Sequence, residues 1–496
     1  MPNTDPLQDL ALLVQARWGV IVLRTAEEER ARSLLLHLAD RLHEPYFEWS
    51  RTKGLRRQDQ DTPQYNTTDP GRALSHVEAA AFPAIYHFRG LGPFLGDATV
   101  QAALLEAGQA YTKNDGCVIL TGADVTLPDS LGSVATSLEL APPSDQDYRD
   151  LLAHILRDVG DRRQVDVELT PDQLNQLYAS MRGLTLMEAQ KILTKAIIED
   201  GKLGVKDLHA AIDAKKQVVE REGLLEYYPA EESMTDIADL KGLKDWLGKR
   251  KQIIAQPEKA ERFGLEFPKG VLLVGVPGCG KSLSAKAVAT EWNLPLLKLD
   301  PGTLYNKYIG ESEKNFKRAV QTAERMSPVV LWIDELEKAF AQGGTEDGGV
   351  SQRILGGFLS WLQDRKGDVF VVATANQVEK LPPEFLRKGR FDEIFFVDLP
   401  DAETRKRIFE IHLKKRSQDP SAFDLTALAA AADGFAGSEI EQVVISGLYT
   451  AFSGSGKLDT ETLLKEIRGT SPLSSMMREK IDALRAWSRD RTVSAQ

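Results

Sequence analysis

The sequence predicts an α/β protein: a parallel sheet with a small helical lid, preceded by a second α/β module that has lost its chemistry. Three observations predict it. Near-continuous apolar runs alternate with helical stretches between residues 270 and 399, the pattern of parallel strands covered on both faces. The string GVPGCGKS, residues 275–282, joins the first of these runs to a helix-like stretch. The first half of the chain repeats landmarks of the second at an offset of about 250 residues.

The chain has 496 residues, room for about three domains. The expected division is a degenerate module over 1–225, a large α/β domain over 226–400, a helical lid over 401–470, and a C-terminal helix and tail over 471–496. In the first module Gly19 of WGVIVLRT stands opposite Gly270, Pro45 of HEPYFEWS opposite Pro295, and Pro143 of LAPPSDQDYRDLLAHIL opposite Pro400. Gly183 of RGLTLMEAQKIL stands opposite Gly434. The copy fails at each catalytic position. Arg24, Thr25 and Ala26 stand where a phosphate loop would open, and Arg89 and Gly90 where an acidic pair would stand. A linker is expected at 220–233. Strands are expected at 270–274, 295–299, 329–333, 369–374 and 394–399, and the glycine- and acid-rich stretch 343–349 reads as a loop. After Pro400 the pattern turns all-helical to near Glu466, and 474–490 has the amphipathic spacing of a last helix.

Bulk composition narrows the function classes. Hydrophobic residues make up 42% and charged residues 27%, which is ordinary for a globular chain. The net charge of −11 supplies no global basic footprint for nucleic acid, although a local basic groove stays open. Two cysteines, Cys117 and Cys279, provide neither a disulfide framework nor a metal site, in keeping with a reducing compartment. Cys279, inside the glycine-rich loop, reads either as a tolerated small residue or as a redox-sensitive thiol. No apolar run approaches the length of a bilayer span, and the N-terminus lacks a basic leader. The expected location is therefore the cytoplasm, or the stroma if the gene is plastid-borne.

The loop at 275–282 fits G-x-x-x-x-G-K-[ST] at every fixed position. Its glycines allow a tight turn whose N–H groups, from Val276, Pro277, Gly278, Cys279 and Gly280 through to Leu283, surround phosphate oxygens (Pro277 contributes shape, having no N–H). Lys281 would reach the β- and γ-phosphates of ATP, and Ser282 would ligate Mg²⁺. The apolar run VVLWI delivers Asp334 and Glu335 to a strand end. There Asp334 would hold Mg²⁺ through water and Glu335 would polarise the attacking water. The next run ends in Asn376, an amide able to orient that water or, alternatively, to cap the following turn.

The segment LPPEFLRKGRFDE places Arg387 and Arg390 three residues apart and resembles the RPGRFD segment of AAA-type ATPases. With DIADLKGLKDWL, YIGESEKNF, WIDELEK, ATAN and GFAGSEIEQVV, residues 236–466 resemble a AAA module with its lid. The whole chain is also similar to a AAA-ATPase family of cyanobacteria and plastid genomes, through AVATEWNLPLLKLD, SWLQDRKGDVFVVATANQ and the late LRAW. The motifs do not reveal that family's physiological role. The resemblance implies that Arg387 and Arg390 act on the nucleotide of a neighbouring subunit, and hence a ring, usually a hexamer. It places Asp239 near adenine, His412 against the base, and Gly437 and Ser438 at the start of the last lid helix. His412 also reads as a simple helix-face histidine. Tyr308, Ile309 and Gly310 resemble a pore loop that grips a polypeptide, although Tyr308 would serve equally at a subunit contact. Val276 and Cys279 depart from the usual proline and threonine, at positions that contribute mainly backbone.

The expected function is a Mg-ATPase ring that remodels a protein substrate. The alternatives are a nucleotide-switched scaffold with slow hydrolysis and, third, a nucleic-acid motor.

Overall fold

The computed structural model describes every residue except 1–4, 61, 81, 124, 161–164, 222, 229–236, 239, 305–310, 341–349, 366 and 455. The chain divides into two compact units, residues 1–210 and 211–496.

The first unit holds a sheet of β1 (Val20–Arg24), β2 (Tyr46–Ser50), β3 (Gly54–Arg57), β4 (Ile85–Arg89), β5 (Cys117–Gly122) and β6 (Ala135–Glu139), ordered β3-β2-β4-β5-β1-β6. Only β3 runs antiparallel, beside β2. Alternate residues of β1 serve opposite faces: Val20 and Val22 enter one apolar core, Ile21 and Leu23 the other. Helices Asp145–Gly160, Pro171–Met181 and Leu186–Asp200 follow, with a two-residue pairing of β7 (Asp166–Val167) and β8 (Lys202–Leu203).

The second unit holds β9 (Leu225–Tyr228), β10 (Gly270–Gly275), β11 (Leu296–Leu299), β12 (Val329–Ile333), β13 (Val369–Ala375), β14 (Glu393–Val397) and β15 (Val493–Ser494). Their order is β15-β14-β10-β13-β12-β11-β9. The five apolar runs of the sequence are the parallel strands β10 to β14. Within each sheet the same order recurs, β6-β1-β5-β4-β2 in the first unit and β14-β10-β13-β12-β11 in the second. That shared order supports the reading of the first unit as a worn copy. Leu272 and Val274 pack into one core while Val271 and Leu273 pack into the other.

The lid is formed by helices Ala402–Lys415, Leu425–Ala431, Gly437–Ser453 and Thr460–Gly469, around Phe409, Leu428, Ile440 and Leu463. Its last helix runs to Gly469.

Three expectations need correction. The boundary expected near residue 225 falls at 210/211, because Val219, Leu224, Leu225 and Tyr227 bury in the second unit's core. The expected linker at 220–233 instead contains β9, which pairs antiparallel with β11. The last helix is also shorter than 474–490: it spans Arg478–Ser488, and the chain then returns as the edge strand β15. The loop reading of 343–349 lies outside the described residues.

Candidate nucleotide site

Strand β10 is buried at every position and ends in the loop 276–280, which turns directly into helix Lys281–Trp292. Gly278 and Gly280 make the turn at φ values of 76° and 89°. A Cβ at Gly278 would lie 2.2 Å from Ser438 Oγ, so both the dihedral and the approach of the lid require glycine. The first turn of the helix carries no acidic residue, which leaves its N–H end free to attract an anion. Lys281 Nζ donates to the carbonyls of Gly275 and Val276 at 2.9 and 2.7 Å. Burial pushes its pKa down to about 8. Val276 is fully buried; its carbonyl accepts from Lys281, and its N–H donates to the Val397 carbonyl at 3.0 Å, so this N–H does not face the phosphates as the sequence suggested. Burial pushes the Cys279 thiol up to about 12, which removes the thiolate a redox switch would need.

The acidic side of the cleft comes from the ends of β12 and β13. Asp334 Oδ1 accepts from Ser282 Oγ at 3.0 Å and from Thr374 Oγ1 at 2.5 Å. These oxygen donors suit Mg²⁺, which takes one or two protein ligands and completes its shell with phosphate and water. Glu335 has a φ of 51°, a conformation that costs a non-glycine residue roughly 1–2 kcal/mol. The Thr374 hydroxyl accepts from the Glu335 N–H at 3.0 Å and so helps hold this turn. Asn376 Nδ2 donates to Glu335 Oε1 at 3.2 Å, and Lys338 pairs with Glu335 Oε2. The Asn376 N–H in turn donates to the buried Glu337 carboxylate at 2.9 Å.

The lid closes the other side. The Ser438 N–H donates to the Gly278 carbonyl at 3.0 Å, which ties the start of helix Gly437–Ser453 to the loop. Between loop and lid lies a cleft of about 520 Å³. Pro277 to Leu283, Asp334, Glu335 and Asn376 line one end, while Ile237, Leu240, Ile408, Ile411 and His412 give the other an apolar character. Phosphates suit the first end and an aromatic base the second. Burial lowers the His412 pKa against the pull of Glu441, whose Oε1 lies 3.5 Å from Nδ1.

Arg387 is exposed and Arg390 half-buried, and neither lines this cleft. Asp239, Tyr308 and Ile309 lie outside the described residues. Sequence reasoning missed Thr374, Glu337, Lys338 and Glu441. Two signals were in view: the threonine of ATAN and the second acid of DELE, each next to a residue already chosen.

The first unit has the same turn with opposite charge. Glu28 and Glu29 occupy the first turn of helix Glu28–Leu42, in the place where Lys281 opens its helix. Arg89 ends β4, which holds the sheet position of β12, and Gly90 takes a φ of 70° where Glu335 takes 51°. Arg89 pairs with Glu48 and Glu29, each at 3.0 Å, and with Glu28 at 3.6 Å. A buried relay ends on the same acid: Tyr46 Oη lies 2.6 Å from His87 Nδ1, and His87 Nε2 lies 2.9 Å from Thr121 Oγ1. The Thr121 hydroxyl donates to Glu28 at 2.6 Å, so Nε2 carries the proton and Nδ1 accepts from Tyr46. Burial pushes His87 down to about 3, so the relay is neutral. Glu27 accepts the N–H of Leu186 at 2.6 Å, which fastens helix Leu186–Asp200 to this loop.

A phosphate loop on a parallel sheet, faced by an acidic pair and covered by a helical lid, defines a P-loop ATPase module. Residues 271–399 match the model of the ATPase family associated with various cellular activities (AAA). Residues 6–140 and 146–222 match the N-terminal and second domains of SpoVK-like AAA ATPases. The AAA domain-containing protein ycf46 of Guillardia theta is 34% identical over 97% of this chain and 94% of its own length. That of Pyropia yezoensis is 34% identical over 97% of both chains. A cell division cycle protein 48 homolog of Archaeoglobus fulgidus is 35% identical over 43% of this chain and 30% of its own. The chain belongs to the AAA ATPase family and, within it, to the family of these ycf46 proteins. No helix among the described residues is long and apolar enough to cross a membrane.

Proposed function

We propose that this chain is a Mg²⁺-dependent ATPase that works as a ring, most simply a hexamer, and remodels a protein substrate. The observation that carries this reading is one cleft in which Lys281, Ser282, Asp334, Glu335 and Asn376 converge, while Arg387 and Arg390 stand outside it. The loop N–H groups and Lys281 bind the phosphates. Ser282 and Asp334 would hold Mg²⁺, which when bound would supply positive charge against the phosphates. Glu335 takes the proton of the attacking water, and Asn376 orients that water through the amide that also touches Glu335. The products are ADP and phosphate. Arginines outside their own cleft are available to a neighbouring subunit, where they would stabilise charge on the transferred group. Asp239 near the base and Tyr308 with Ile309 on a pore loop belong to the same reading, as does a cytoplasmic or stromal location.

The first unit is a module without nucleotide chemistry. Glu28 brings negative charge to the helix start that would attract phosphate, and Arg89 stands where Mg²⁺ needs a carboxylate. One observation favours the slow-switch alternative: Lys338 pairs with Glu335 and so competes with the attacking water for the carboxylate of the general base. The test is ATP turnover by the purified full chain, alone and with unfolded protein, DNA or RNA, alongside its mass in solution. Stimulation by unfolded protein in a ring supports the motor. Slow turnover indifferent to all three supports the switch, and a monomer without turnover overturns both.

A further inference from the structure

The C-terminal segment, a helix followed by an edge strand, reaches the nucleotide cleft, a role that the LRAW resemblance within it did not signal. Helix Arg478–Ser488 buries Leu484 in the core beneath the sheet. The chain then returns as β15, parallel to β14, with Val493 opposite Phe395 and Ser494 opposite Phe396. Ala495 is fully buried, and its carbonyl accepts the Leu243 N–H at 3.2 Å. Gly242 admits this seat, since a Cβ there would lie 2.6 Å from the Ser494 carbonyl oxygen.

The segment grips the end of β14 at three successive points. The Ala495 N–H donates to the Phe396 carbonyl at 3.0 Å. Arg485 forks onto both oxygens of Asp398 at 2.8–3.0 Å. Gln496 Nε2 donates to the Leu399 carbonyl at 3.1 Å. Between these points, the Val397 carbonyl accepts the N–H of Val276, the first residue of the phosphate loop, at 3.0 Å. Asp398 and Gln496 also line the cleft. The wall that positions the loop is thus held from outside by residues 485–496.

We infer that this segment is a built part of the nucleotide site: it positions the loop and the base end of the cleft, and so sets nucleotide affinity rather than the chemical step. The groups proposed for the chemistry, Glu335 and Asn376, follow the ends of β12 and β13, with β10 between those strands and β14. The inference rests on the ATP-site reading above and deepens it.

The test titrates full-length protein with MgADP and measures ATP turnover at saturation. Arg485→Ala removes a part-buried, doubly bonded ion pair, and roughly tenfold weaker binding is expected. Deletion of 493–496 keeps helix Arg478–Ser488 and Arg485 and should weaken binding at least as much. It also keeps the inference testable where Arg485→Ala does not fold. Turnover at saturating ATP should stay within about threefold in both, with KM carrying the loss. Arg485→Lys, which keeps one charged contact, should recover part of the affinity. Unchanged MgADP affinity in both variants overturns the inference alone, as does a fall in kcat at constant KM. Failure of the unmodified chain to bind MgADP overturns the ATP-site reading with it.

Discussion

Raising the pH from 7 to 9 should weaken nucleotide binding through one group. Lys281 is buried among carbonyls, and its pKa lies at about 8 instead of the usual 10.5. Binding a polyanion needs the ammonium form, so affinity is full below the depressed pKa and is lost as pH rises through it. With a pKa of about 8 the protonated fraction falls roughly tenfold between pH 7 and pH 9, and Kd for MgADP should rise by about that factor. At pH 8 the site should take up about half a proton on binding, visible in calorimetry as a heat that varies with the buffer's ionisation enthalpy. The adjacent Cys279 thiol titrates far above this window, at about 12, and does not compete. Lys281→Arg, charged throughout, should flatten the profile wherever it still binds. A wild-type Kd that is constant from pH 7 to 9, with no proton uptake, would refute the depressed pKa of Lys281, and unchanged binding by Lys281→Ala would refute its assignment as the phosphate-facing cation.

Further outcomes follow from the same geometry. Glu335→Gln should bind MgATP but lower turnover by about 10²–10⁴-fold, because the amide cannot accept the water's proton; wild-type turnover in a single-cycle assay would remove Glu335 from the base position. Arg390→Ala and Lys281→Ala chains, each inactive alone, should regain part of the activity when mixed, and a strictly additive zero would argue against action between subunits. Full-length Lys281→Ala should show no MgATP binding at millimolar concentration, since the first unit offers Glu28 and Arg89 in place of lysine and carboxylate; a residual micromolar site would contradict the account of that unit. Phe409→Ala, in the lid core, should cost about 3–5 kcal/mol in lid stability, read as faster hydrogen exchange in helix Gly437–Ser453.

The phosphate loop, the acidic pair and Asn376 were legible in the sequence because each belongs to a contiguous strand and its following turn, whose geometry depends on neighbours in the chain. The apolar runs of β10 to β14 were legible for a similar reason, since a strand buried on both faces admits little else. The replacements at the first unit's loop and acidic-pair positions were also visible, residue by residue. What replaced it was not: Arg89 meets Glu28, Glu29 and Glu48 only because β4 lies between β2 and β5 with β1 one strand further on. The buried support of Asn376 by Glu337 likewise depends on β12 and β13 being neighbours. The hold of Arg485, Ala495 and Gln496 on the end of β14 spans about 90 residues or more of intervening chain. Sequence by itself determined which groups could do chemistry, because that is a property of residue type in a local turn. Only the tertiary structure decided what holds those groups in place, because sheet order and an edge strand added from the far end of the chain are set by packing over the whole unit.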